Sequence, residues 1–173
     1  MDKGVQLVRL IHFSQEPVIE LRYVDQPGDD SDYVRQLGSL AKPMGLWLSD
    51  EDSHHSWSAH CVNNGRPERL GLIAQEVLLA ASAQIVHIEN AVQLDIFTSR
   101  YRASGYNSLG LDVLIGRRID WAKVAKEYQG IAIVPYIKAR ALDPHAFWYK
   151  LWDCASACIW DPKAIELIKE VKL

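Results

Sequence analysis

The segment from Lys42 to Cys61 most constrains the fold, because a short apolar run in it leads directly into a helix-start signal. Leu46 to Ser49 follows a proline and a glycine, which is typical of a short β-strand that comes after a loop. The polar residues Ser49 to Asp52 are typical of a helix N-terminus. We therefore predict a strand followed at once by a capped helix.

Trp47 lies inside this strand. Side chains alternate between the two faces of a strand, so Leu46 and Leu48 point to one side while Gly45, Trp47 and Ser49 point to the other. One interpretation is that Trp47 forms a platform for a flat ring, beside a shallow floor at Gly45. The alternative is that Trp47 is an ordinary core residue.

The composition favours one globular domain. Of 173 residues, 49% are hydrophobic and 24% are charged, which is ordinary for a folded protein. A chain of this length buries about 70% of its unfolded surface in one core, so we expect a single domain over residues 1–173. The net charge of −3 provides no broad basic surface for phosphates, and no general nucleic-acid binding is expected.

The N-terminus and the cysteines indicate the compartment. The first ten residues lack the apolar core of a secretory signal, and no apolar run approaches the roughly 20 residues of a membrane span. Three cysteines, an odd number, are typical of reduced thiols. We predict a cytoplasmic protein with no membrane partner.

The remaining elements indicate an α+β fold. Val5 to Ser14 is apolar on both faces, as in a central strand, and this strand would carry His12 and Ser14 on one face near its end. A long polar loop with possible binding function follows over residues 25–42. Further strands are predicted at residues 71–79, 84–88, 131–136 and 157–160. Helices are predicted after the caps Asn90, Asp120 and Asp161, with Gly130 ending the second.

Metal and thiol chemistry are not favoured. Zinc sites usually show two pairs of ligands at short fixed spacing, whereas His55 and His60 form one pair that does not share a helix face. The other candidate ligands are isolated or lack a second pair: His12, His54, Cys61 and Cys154. Cys154 and Cys158 lie among aromatic residues and are interpreted as buried thiols. We predict no metal.

Three segments, LIHFSQEPV, GLWLSDEDSHHSWSAHC and SACIWDPKAIELI, together resemble the ADP-ribosyltransferase fold of the diphtheria-toxin and poly(ADP-ribose) polymerase type. In that family a first strand ends in a histidine followed by a small hydroxyl residue. A second strand reads G-[IL]-aromatic-[FL]-[AS]-[DE], and a late strand brings a carboxylate. Small phage and bacterial members look closest. The resemblance implies a split mixed sheet with flanking helices, and NAD as substrate.

The resemblance also implies roles for particular residues. His12 would hold the adenosine ribose of NAD, and the backbone at Phe13 would meet the nicotinamide amide. Trp47 would stack on the nicotinamide ring, with Ser49 lining the same pocket. Ser14, in the same motif as His12, joins this NAD-binding set.

The late strand departs from the family pattern. Ser156 stands where the family has a catalytic glutamate, and the nearest acid is Asp153. Asp153 is our candidate for the carboxylate that stabilises an oxocarbenium-like transition state, and its alternative role is to cap a turn. Phe13 replaces the usual glycine after the histidine, which narrows the pocket.

The expected function is mono-ADP-ribosyl transfer to a protein or nucleic-acid acceptor, as in a phage or bacterial effector. The loop at residues 138–152, in the family's target-recognition position, would present aromatic residues such as Trp148. One alternative is a non-catalytic module of the same fold. Others are NAD hydrolysis and RNA 2′-phosphate transfer, which would require basic residues to converge from Arg9, Lys42, Arg117 and Arg140.

Overall fold

The computed structural model describes residues 9–28, 42–103 and 118–172. Within them, one seven-stranded sheet has the order β4-β5-β6-β2-β1-β3-β7. The strands are β1 (Leu10–Ser14), β2 (Leu46–Asp50), β3 (Ile73–Leu79), β4 (Ile85–Ile88), β5 (Gly130–Ile133), β6 (Ser156–Ile159) and β7 (Ile165–Val171). The pair β4 and β5 is parallel, and the other neighbours are antiparallel. The α+β class and a mixed sheet are therefore confirmed.

Three α-helices are found in the described residues: α1 (Trp57–Asn63), α2 (Ala91–Arg100) and α3 (Trp121–Ala125). Asn90 caps α2 by accepting from the Gln93 backbone N–H, and Asp120 caps α3 by accepting from Lys123. Single 3₁₀ segments cover Pro67–Leu70, Lys138–Arg140, Pro144–Leu151 and Pro162–Ala164. The predicted caps of α2 and α3 are thus confirmed.

Two hydrophobic clusters cover the two faces of the sheet. Leu46 and Leu48 belong to one cluster, whereas Trp47 packs against the other, which contains four buried tryptophans. This division follows from the alternation of side chains along β2. It confirms the face assignment made from the sequence.

The predicted start of the first helix is wrong. Ser49 and Asp50 remain in β2, and the helix begins only at Trp57, with Ser56 as its cap. A turn at Asp50 to Ser53 separates the two elements, because the Asp50 carbonyl accepts from the Ser53 N–H at 3.3 Å. Pairing of Ser49 with β1 and β6 extends the strand beyond its apolar run.

The predicted C-terminal helix is also wrong. After Asp161 caps one 3₁₀ turn, the chain forms β7 and pairs with β3 from Ala74 to Leu79. Ile165, Ile168 and Val171 are half-buried at a spacing of three, which imitates a helical period. The open edge of β3 offers backbone hydrogen bonds that satisfy this segment as a strand, and a register shift at Leu78 and Leu79 accommodates the spacing.

Gly130 does not end a helix. α3 stops at Ala125, and Gly130 is the first residue of β5. A side chain at Gly130 would lie 2.6 Å from the Ile159 side chain and 2.9 Å from the Cys158 carbonyl oxygen. Close packing against β6 therefore explains this glycine.

Candidate active site

The sheet opens between β1 and β2. Their pairing consists of Leu10 with Asp50 and Ile11 with Ser49. Beyond Ile11, β1 continues alongside β3 as far as Ser14, while β2 continues alongside β6. A gap between two central strands leaves room for side chains to reach the backbone.

His12 bridges this gap. Its Nδ1 lies 2.8 Å from the carbonyl oxygen of Trp47. A carbonyl oxygen only accepts hydrogen bonds, so Nδ1 carries the hydrogen, and the neutral ring leaves Nε2 as an acceptor. The backbone of β2 thus fixes both the orientation and the tautomer of His12.

A cavity of about 270 Å³ lies beside the gap. Pockets for drug-sized ligands usually hold about 300–1,000 Å³, so this one suits part of a dinucleotide. Six residues singled out from the sequence line it, from three different segments: His12, Phe13, Trp47, Ser49, Asp153 and Ser156. Ser14 is not among the described lining residues, and its hydroxyl donates to the Glu16 carbonyl at 2.6 Å.

Trp47 is half-buried and provides an aromatic face at the cavity. The Trp152 ring meets it edge-on, with centroids 4.8 Å apart. The Lys42 ammonium lies 4.1 Å from the centroid of the Trp47 ring and 5.6 Å from that of Trp152. Gly45 is not a floor for a ligand, because a side chain there would lie 2.4 Å from the Ile159 carbonyl oxygen.

Ser49 is held by a local network. Its hydroxyl donates to Glu51 Oε1 at 2.6 Å and accepts from the Trp57 backbone N–H at 2.8 Å. Glu51 also accepts from the Ser58 hydroxyl. The network ties the end of β2 to the first turn of α1, so Ser49 shapes the cavity wall while its own proton is already donated.

Ser156 and Asp153 differ in position. Ser156 is buried, lies opposite Ser49 in the β2–β6 register, and donates to the Cys154 carbonyl at 3.1 Å. Asp153 is exposed and lines the cavity, and no hydrogen bond joins its carboxylate to the described residues. Turn capping by Asp153 is therefore not observed in this part of the chain.

Sequence reasoning missed three lining residues and misplaced one. Trp57, Arg69 and Lys42 complete the wall, from α1, a 3₁₀ turn and the segment before β2. Only Lys42 carried a sequence signal, as one of several scattered basic residues. Trp148 is 1% exposed and donates to the Thr98 hydroxyl at 2.9 Å, so it cannot be presented to an acceptor as expected.

The basic residues do not all converge on the cavity. Arg140 binds the Asp95 carboxylate through two hydrogen bonds of 2.9 and 2.7 Å, away from the cavity wall. Arg117 lies outside the described residues. Among the described part of the chain, Lys42 and Arg69 are the cationic residues of this wall.

The two cysteines beside the cavity are buried thiols, in agreement with the sequence interpretation. Burial raises the pKa of Cys154 to about 11, and burial also raises the pKa of Cys158. Both groups are therefore protonated at neutral pH and are poor nucleophiles. No cluster of three or more metal-ligating side chains occurs in residues 9–28, 42–103 and 118–172.

Comparison of the chain with protein-family models, curated proteins and solved structures finds no match in any of the three. Within the described ranges, none of the helices combines the length and apolar character needed to cross a membrane.

Proposed function

We propose that this protein binds NAD and transfers its ADP-ribose group to a macromolecular acceptor. One observation carries the proposal: three segments far apart in the chain supply His12, Trp47 and Asp153 to a single cavity. The strands that hold or follow these residues are neighbours, in the order β6-β2-β1. The resemblance in sequence required this convergence, although no local pattern dictated it.

NAD would bind with its nicotinamide ring on Trp47 and with His12 hydrogen-bonded to a ribose hydroxyl through Nε2. The cavity volume of about 270 Å³ suits the nicotinamide end, and the rest of the dinucleotide would extend along the rim. Phe13, in place of the family glycine, limits the depth of insertion. Arg69, an exposed residue of the wall, would attract the pyrophosphate.

The reaction would break the bond between ribose C1′ and the nicotinamide nitrogen. Nicotinamide leaves with the bonding pair as a neutral molecule, and positive charge develops on the ribose. A carboxylate near this charge stabilises the transition state, and Asp153 is the exposed carboxylate of the cavity wall. An acceptor nucleophile then bonds to C1′ and releases one proton.

A non-catalytic NAD-binding or ADP-ribose-binding module is the second candidate. The observation that favours it is Ser156, which is 4% exposed and brings a hydroxyl to the place where the family has a carboxylate. In this reading the cavity binds its ligand, and the complex recognises a partner. An intracellular effector role is compatible with either candidate.

The test is a titration of the protein with NAD, following tryptophan emission and the release of nicotinamide in the same sample. Binding with release supports transfer or hydrolysis, and binding without release supports the module. A labelled adenosine group distinguishes transfer from hydrolysis, because only transfer labels a macromolecule.

Trp47→Leu is the informative variant, and Phe147→Leu is its matched control. Phe147 is also half-buried with a lysine near its ring, Lys150 at 5.3 Å, but it lies outside the cavity wall. We expect Trp47→Leu to weaken NAD binding about tenfold and Phe147→Leu to leave it unchanged. Absence of NAD binding by the native protein would contradict both candidates.

A further inference from the structure

Lys42 is a lysine placed among aromatic rings instead of carboxylates. Its ammonium lies 4.1 Å from the Trp47 centroid and 5.6 Å from the Trp152 centroid, within the range of cation–π attraction. No ion pair joins it to any residue in 9–28, 42–103 or 118–172. Lys42 and Trp47 both line the cavity, so the ammonium lies where a ligand would meet this ring.

We propose that Trp47 and Trp152 form a site for a planar organic cation, and that Lys42 occupies this site in the free protein until the cationic ring of the ligand displaces it. The inference deepens the proposed function, because it names the oxidised, positively charged pyridinium as the group recognised at Trp47. The neutral dihydropyridine ring of NADH would gain no cation–π attraction and would displace Lys42 poorly.

The argument rests on competition between like charges. Two cations cannot share one indole face without repulsion, and little solvent screens them in a half-enclosed cavity. The four-carbon stem of lysine is flexible and its ammonium is readily hydrated. The side chain can therefore leave the ring when a larger, flatter cation replaces it there.

The protonation of Lys42 supports the same conclusion. Burial lowers the pKa of Lys42, and the nearby Asp153, Cys154 and Cys158 oppose this shift. Loss of the proton removes the competing charge without moving the backbone. Of the other charged groups at the cavity, His12 and Arg69 also line its wall, so any pH effect must be referred to a variant that lacks only Lys42.

The probes are 1-methylnicotinamide, a permanent pyridinium cation, and nicotinamide, its neutral counterpart. Binding to the full chain is followed by tryptophan emission for the native protein and for Lys42→Ala, Lys42→Met and Lys42→Arg. Removal of the ammonium in the Ala and Met variants should tighten binding of the cation about three- to thirty-fold. Lys42→Arg keeps a cation over the ring and should bind like the native protein.

Two further readouts complete the test. The native protein should bind 1-methylnicotinamide more tightly as pH rises toward 10.5, the ordinary lysine value, whereas Lys42→Met should show a smaller change. Nicotinamide binding should change less than cation binding in every variant. Equal or weaker cation binding by both Lys42→Ala and Lys42→Met would overturn the inference.

The test separates this inference from the proposed function. Tighter cation binding by the Ala and Met variants, without nicotinamide release from NAD, supports the cation site and contradicts transfer. Release of nicotinamide with unchanged cation affinity in those variants supports transfer and contradicts the role of Lys42.

Discussion

Replacing Asp153 with asparagine removes one negative charge from the cavity wall while it retains the size and shape of the side chain. Asp153 is exposed, and no hydrogen bond or ion pair joins it to the described residues. The free energy of unfolding should therefore change by no more than about 0.5 kcal/mol. The effect on catalysis should be much larger.

The magnitude follows from the interaction between the carboxylate and the charge that develops on the ribose. At about 4 Å, two unit charges attract by roughly 4 kcal/mol at an effective dielectric constant near 20, and by roughly 1 kcal/mol in water. The exposed position of Asp153 lies between these limits. Because each 1.36 kcal/mol changes a rate about tenfold, we expect nicotinamide release to slow by roughly 10- to 1,000-fold.

The assay compares single-turnover nicotinamide release by the native protein, Asp153→Asn and Glu166→Gln. Glu166 is an exposed acid on β7, at the far edge of the sheet, and its replacement removes the same charge away from the cavity. NAD affinity from tryptophan emission should fall little in Asp153→Asn, since the charge acts mainly in the transition state. Native rates in Asp153→Asn, together with measurable native turnover, would refute the role of Asp153.

Two further predictions concern stability, measured by chemical denaturation. Gly45→Ala should destabilise the protein by about 2–4 kcal/mol, because its φ is +152° and the new side chain would lie 2.4 Å from the Ile159 carbonyl oxygen. Gly65→Ala is the control, at about 1 kcal/mol, since its φ is +66° and nothing lies within 4 Å; equal effects would contradict the packing argument. Asp95→Asn should cost less than about 1 kcal/mol, because its partner Arg140 and Asp95 have side chains 28% and 47% exposed. The hydrogen bond from Arg140 lowers the pKa of Asp95 below its ordinary 3.8, so this contribution is complete above 3.8 and is lost as the pH falls through the lowered value; a difference that persists in strong acid would contradict it.

The candidate site shows where sequence reasoning succeeds. The alternation of side chains along β2 placed Trp47 on one face and its leucine neighbours on the other, and the structure has this arrangement. The family resemblance grouped His12, Trp47 and Asp153, which line one cavity. Both inferences depend on local order in the chain, and the periodicity of a strand is a local property. The assignment of NAD to this cavity stays a prediction.

Other features depended on segments distant in sequence. Ser49 to Asp52 has the composition of a helix start, yet pairing with β1 and β6 keeps Ser49 in a strand. The C-terminal segment has helical spacing, yet the open edge of β3 binds it as β7. In both cases hydrogen bonds to a neighbouring strand outweigh a weak local preference.

The amino-acid sequence by itself determined the short strands, the caps of α2 and α3, the faces of β2 and the residue types available for chemistry. Only the tertiary structure decided that β1 and β2 separate beside His12 and that Lys42 lies over Trp47. The physical reason is that periodicity and capping involve residues a few positions apart. Strand order, burial and the competition of charges for one aromatic face involve residues brought together only by folding.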